Sequence, residues 1–210
     1  GILLTTLENL PEVTSVYLWD PDAAVVARPD LPVSRKIAGT SADLDAVLAQ
    51  PGLAFAVVCV RNDLEAAVAR KVVTAGVHLM AEKPVGLTSA EIAGVQAAAT
   101  RAKVQASVLY SRRFHPAVIA ARTLARSGAI GPLLTAECRF LTTQVKFRRP
   151  ESWLFQRRYA GGGMLLWLGC HCLDLLHHVT GDEITEVGAL LAIRSGEAID
   201  VEDCVALALN

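Results

Sequence analysis

Residues 161–178 read GGGMLLWLGCHCLDLLHH, a short stretch that holds a glycine triplet, a tryptophan, two cysteines, an aspartate and three histidines. Thiolate, imidazole and carboxylate are the groups that bind metals or move protons. Successive side chains on a helix point roughly 100° apart, so Cys170, His171 and Cys172 cannot all converge on one ion. His171, Asp174 and His178 do share a face. The spacing lacks the paired CxxC or HExxH pattern of a zinc site, which argues against a metal and leaves Cys170 and Cys172 as small core residues. His171 has two readings, a satisfied core histidine or a proton-transfer group, and an imidazole pKa near neutrality suits the second. The glycine triplet allows a tight turn and close approach to another surface.

Lys83, in AEKPVGLT at 81–88, is the other reactive candidate. It follows a buried apolar run, where desolvation lowers an ammonium pKa and a fixed donor can polarise a substrate oxygen. Arg112, Arg113, Arg157 and Arg158 could hold a carboxylate, a phosphate or sugar hydroxyls, although arginines in such numbers are commonly solvated.

The elements that must position these residues alternate along the first half of the chain. Leu3 to Leu10 reads as a helix stopped by Pro11, and VTSVYLWD as a strand ending at Asp20. Helices follow in SADLDAVLAQPG, with Ser41 as N-cap and Pro51 and Gly52 beyond its end, at 63–75 and at 89–101. Between them LAFAVVCV and VHLMAEK are the continuous apolar runs of strands covered on both faces, and Val104 to Tyr110 closes the series. This β/α alternation predicts a Rossmann-type parallel sheet over 1–113, incomplete at its N-terminus. Ligands of such sheets sit beyond the carboxyl ends of strands, which marks Asp20, Arg61-Asn62-Asp63 and Glu82-Lys83-Pro84. After Phe114 a helix at 116–127 leads to LLTAECRFL, EVGALLAIR and DCVALALN, which alternate as half-buried strands. They predict an α+β domain over 114–210 with a mostly antiparallel sheet, incomplete at its C-terminus.

The chain has 210 residues, 52% of them apolar, enough for a substantial core. A formal charge of -1 offers no basic surface to nucleic acid and no polybasic stretch to a membrane. No apolar run approaches a membrane span. Five cysteines, an odd number, read as reduced thiols and point to a reducing, cytoplasmic compartment.

Asp20 at the end of a strand, AEKPVGLT at 81–88, SRRFHPAV at 111–118 and GGGMLLWLGCHCLDLL at 161–176, in this order, resemble the Gfo/Idh/MocA family of nicotinamide-dependent oxidoreductases. The resemblance implies hydride transfer between a nicotinamide cofactor and a secondary alcohol or ketone of a sugar or polyol. It implies Lys83 and His171 as catalytic groups, with Gly1, Asp20, Asn62, Glu82, Lys83 and Pro84 around the cofactor. Arg113, Trp167 and Asp174 are the expected substrate contacts. Gly1 reads as the last glycine of a phosphate turn or as a mere boundary. Asp20 would accept from the adenosine ribose and favour NAD, while Arg35 or Lys36 could admit NADP. By resemblance the full-length protein forms a homo-oligomer. The chain departs from the family at Arg61, where a proline is usual, at Glu65, where a histidine is common, and at Trp167, where many members carry aspartate one helical turn before the histidine. Tryptophan there implies either a stacking wall for a sugar ring or a weakened proton transfer, and with it the alternative of a non-catalytic nucleotide- or sugar-binding regulatory protein.

Overall fold

The computed structural model describes residues 2–28 and 35–210, so the expectation for Gly1 falls outside the described residues. Two compact units divide the chain at 55/56.

The first unit opens with α1 (Ile2–Asn9), followed by β1 (Val16–Trp19), α2 (Ala23–Val26), β2 (Ile37–Ser41) and α3 (Leu44–Leu48). β1 and β2 pair in parallel, Leu18 opposite Thr40 and Trp19 opposite Ser41. β2 has no clear signature in the sequence, because its five residues IAGTS carry a glycine and too few apolar side chains to stand out. Ser41 ends this strand instead of capping a helix. The cap of α3 is Asp43, whose carboxylate accepts from the Asp45 amide at 2.9 Å.

The second unit holds β3 (Phe55–Val58), α4 (Asn62–Thr74), β4 (His78–Ala81), α5 (Ser89–Ala102) and β5 (Ala106–Val108). The three strands form one sheet in the order β3-β4-β5, with β4 and β5 parallel and Ala81 opposite Val108. Ala69, Val72 and Val73 of α4 and Val95, Ala98 and Ala99 of α5 bury one stripe of each helix with Leu79 and Ala81 of β4. Thr88 starts α5 through a capping box, its hydroxyl accepting from the Glu91 amide while Glu91 Oε2 accepts from the Thr88 amide.

A 3₁₀ turn at Ser111–Phe114 leads into α6 (Pro116–Arg126), then the short α7 (Gln144–Phe147) and α8 (Arg157–Ala160). A π-helical turn at Leu165–Gly169 runs directly into α9 (Cys170–Thr180). The chain closes with β6 (Val187–Ala192) and β7 (Cys204–Leu209), an antiparallel pair with Leu190 opposite Ala206. LLTAECRFL, read from its alternation as a strand, forms no ladder among the described residues. Alternating apolar residues supply two faces, but a strand also needs a partner edge for its amides.

Candidate active site

β3 and β4 end at Val58 and Ala81, and the chain that leaves each of them carries the polar groups of the site. Asn62 opens α4, and its Nδ2 donates to the Ala160 carbonyl at 3.0 Å, which ties this strand end to the turn before the glycine triplet. Beside it the Arg61 guanidinium pairs with Asp63 at 2.6 Å and lies 4.0 Å over the Tyr159 ring. The Glu82 amide donates to the Val58 carbonyl, and Glu82 Oε2 accepts from the Lys83 amide at 2.6 Å. The peptide bond between Lys83 and Pro84 is cis. Lys83 is half-buried, and its Nζ donates to the Trp167 carbonyl at 2.7 Å.

That carbonyl belongs to the π-helical turn, in which the Cys170 amide reaches back to the Leu165 carbonyl. Such wide turns are frequent at functional sites. The segment is held from below by Glu202, which is buried and which neither the motifs nor the spacing single out. Glu202 Oε1 accepts from the amides of Gly163 at 2.8 Å and Leu165 at 3.2 Å, and its carbonyl accepts from the Met164 amide at 2.8 Å. A carboxylate at the start of a helix matches the positive end of its dipole and takes amides that have no partner within the helix. The close approach explains Gly163, where a Cβ would stand 1.8 Å from the Glu202 carbonyl oxygen.

His171 and Asp174 face inward from α9 with 8% and 9% of their surfaces exposed. The edge of the Tyr110 ring meets the His171 imidazole at a centroid distance of 6.0 Å. Nδ1 of His171 is buried without a hydrogen-bond partner. Burial pushes this imidazole below its usual range, and the positive charges of Lys83 and Arg112 push in the same direction against Glu82 and Asp174. The neutral form, able to accept a proton, is therefore the one present at pH 7.

Asp174 is committed to Arg113. Nε donates to Oδ2 at 2.9 Å and to Oδ1 at 3.0 Å, and Nη2 bonds Oδ1 as well. This fork is the strong geometry for a guanidinium and a carboxylate. The Trp167 indole packs with Met164 and Ile199 against the cluster of Val145, Phe155 and Val201. Phe155 meets it edge-on at 6.2 Å, and the Arg148 guanidinium stands 4.7 Å from its ring centre.

Lys83, Trp167, His171, Arg113 and Asp174 thus come together in the second unit, linked through the Trp167 carbonyl, Tyr110 and α9. Asp20 stands at the end of β1 in the first unit, where its Oδ1 accepts from the Asp22 amide at 2.9 Å. Lys36 donates to the carbonyls of Leu7 and Leu10, at the C-terminal end of α1. No group of three or more histidine, cysteine or acidic side chains is arranged to hold a metal among the described residues. All five cysteines are free thiols. Burial pushes the Cys172 thiol up to about 12 and the Cys59 thiol to about 11, away from thiolate chemistry. Glu65, also outside the motifs, is almost wholly buried at the start of α4 and accepts from the Val60 amide at 3.0 Å through Oε2. The departure from the family at this position marked it in the sequence, but nothing there marked its burial.

Residues 4–110 match the family model described as an oxidoreductase family with an NAD-binding Rossmann fold, and residues 118–210 match the Gfo/Idh/MocA C-terminal domain. Levoglucosan dehydrogenase of Pseudarthrobacter phenanthrenivorans is 28% identical over 73% of this chain and 39% of its own length. D-xylose dehydrogenase of Paenarthrobacter nicotinovorans is 28% identical over 72% of this chain and 40% of its own. The chain thus spans about two fifths of the length of these relatives. Among solved structures, an oxidoreductase domain protein from Kribbella flavida superimposes with a TM-score of 0.82 at 28% identity, covering 92% of this chain and 54% of that one. No helix among the described residues is long and apolar enough to cross a membrane.

Proposed function

The chain belongs to the Gfo/Idh/MocA oxidoreductase family, and from that premise we propose that it is part of a dehydrogenase that moves hydride between NAD and a secondary alcohol or ketone of a sugar or polyol. The functional division of the chain in this reading is 1–113 for the dinucleotide and 114–210 for the substrate. The observation that carries the reading is the Lys83 ammonium held on the Trp167 carbonyl, one helical turn before a buried, neutral His171.

The donor set fits a nicotinamide dinucleotide. Asp20 in the first unit and the Glu82-Lys83-Pro84 turn in the second each follow the carboxyl end of a parallel strand, where such sheets take their ligands. When bound, the nicotinamide ring supplies the hydride acceptor. Asp20 disfavours a 2′-phosphate, and the commitment of the Lys36 ammonium to α1 supports NAD over NADP. For the chain's own residues, Lys83 orients and polarises the reacting oxygen while the imidazole of His171 takes the hydroxyl proton. Among the relatives, the names levoglucosan dehydrogenase and D-xylose dehydrogenase support a carbohydrate substrate.

The test is NAD reduction by a panel of sugars and polyols, measured with the full-length protein. Lys83→Ala and His171→Ala are each expected to lower turnover about a hundredfold or more with an unchanged fold by circular dichroism. A rate unaffected by either change would remove the assignment. Tight NADH binding without turnover of any compound would favour the regulatory alternative.

A further inference from the structure

Resting on the hydride-transfer reading, we infer that the substrate is a carboxylate-bearing sugar or polyol, a sugar acid, and that Arg112 is the residue that anchors its carboxylate. The two arginines of the 3₁₀ turn at Ser111–Phe114 have separate fates. Arg113 is paired with Asp174 by a forked bond through Nε and Nη2, so its charge is already matched. Arg112, its neighbour, forms no ion pair among the described residues, and its half-buried guanidinium stands 5.0 Å from the centre of the Phe140 ring. The turn that carries it is pinned to α9 on both sides, by Tyr110 against His171 and by Arg113 against Asp174.

The unpaired cations then point to the ligand. Lys83 donates a hydrogen bond to a neutral carbonyl, so among the described residues its positive charge also lacks a carboxylate partner. Glu82 is the other acid whose field reaches His171, and one of its oxygens is taken by the Lys83 amide. Asp174 is matched by Arg113. A planar carboxylate suits a guanidinium fork that has no acid partner of its own, whereas a neutral polyol offers it no charge. The same carboxylate would oppose the cations that hold His171 below its usual range, so the right substrate would strengthen the base that acts on it.

Calorimetric binding distinguishes these ligands directly. The probes are D-gluconate, D-galactonate and D-glucuronate against D-sorbitol and D-glucose 6-phosphate, each at fixed ionic strength with NAD present. At least one sugar acid is expected to bind about tenfold more tightly than sorbitol. Arg112→Gln should remove that advantage while sorbitol affinity changes less than twofold, and Arg112→Lys should restore part of it. Equal affinity for sorbitol, tighter binding of the phosphate, no saturable binding of any of the three acids, or an acid preference that survives Arg112→Gln would each overturn the inference. Following NAD reduction with the same compounds separates the two claims. Acids that bind without reducing NAD would count against hydride transfer and leave the anchor standing, whereas turnover confined to neutral polyols would do the reverse.

Discussion

The Lys83 ammonium lies 2.7 Å from the carbonyl oxygen of Trp167, a residue 84 positions away in sequence and one helical turn before His171. This contact brings a positive charge to a buried imidazole. His171 should therefore titrate below the ordinary 6.5 in a proton NMR pH series. Burial is the main cause, the charges of Lys83 and Arg112 lower it further, and Glu82 and Asp174 raise it, with the Tyr110 ring packed edge-on against one side. Lys83→Ala removes one of the two cations and should move the midpoint upward. A midpoint at or above 6.5 in the unmodified protein would contradict the burial and the charge arrangement together.

Glu65 should make stability depend on pH in a defined window. Burial raises its carboxyl from about 4.5 to about 7 in the folded chain. The folded state then holds a proton that the unfolded state releases, so the contribution is complete below about pH 4.5 and is lost as the pH rises through 7. Relative to Glu65→Gln, the unmodified protein is expected to lose roughly 3 kcal/mol of unfolding free energy across that interval. Urea titrations of both proteins at several pH values measure the difference, and parallel curves would refute it.

Gly163→Ala should be strongly destabilising. The new methyl group would stand 1.8 Å from the Glu202 carbonyl oxygen, and backbone on one side or the other must move. Overpacking of this kind costs about 3 kcal/mol or more. The Met164 amide bond to Glu202 and the start of the π-helical turn would be lost with it. Thermal unfolding followed by circular dichroism reads the effect, and an unchanged midpoint would show that the contact yields freely.

Asp174 and Arg113 should be strongly coupled. Asp174→Asn leaves the fork with a neutral, poorly matched partner and is expected to cost about 2 kcal/mol, because the Asp174 side chain is only 5% exposed. The figure lies below the ~3–5 kcal/mol of fully buried pairs since 37% of the Arg113 side chain remains in solvent. Replacing both residues by leucine should cost less than the two single changes added together. Additive single changes would mean that the pair contributes nothing specific.

Periodicity and punctuation marked the strongly apolar helices and strands, but neither β2 nor the true state of LLTAECRFL. Apolar runs bounded by glycine and proline marked β3, β4, α4 and α5 within a few residues of their observed ends. Residue type and motif order were also enough to single out Lys83 and His171, because few side chains combine a suitable pKa with those positions. What the sequence alone did not contain was the pairing of side chains. Arg112 and Arg113 are the same residue type at adjacent positions, and only the packing of their turn on α9 gives one a carboxylate and leaves the other without. Trp167 contributes to the site through its backbone carbonyl, a group that every residue possesses and that no sequence pattern can distinguish. Glu202 stayed hidden for the same reason: it is one acid among many in the linear chain, and its role comes from the amides that the distant Gly163–Leu165 segment presents to it after burial. Local propensity and hydrophobic period act over a few residues and can be read along the chain, whereas charge compensation and hydrogen-bond matching depend on neighbours that only the folded chain supplies.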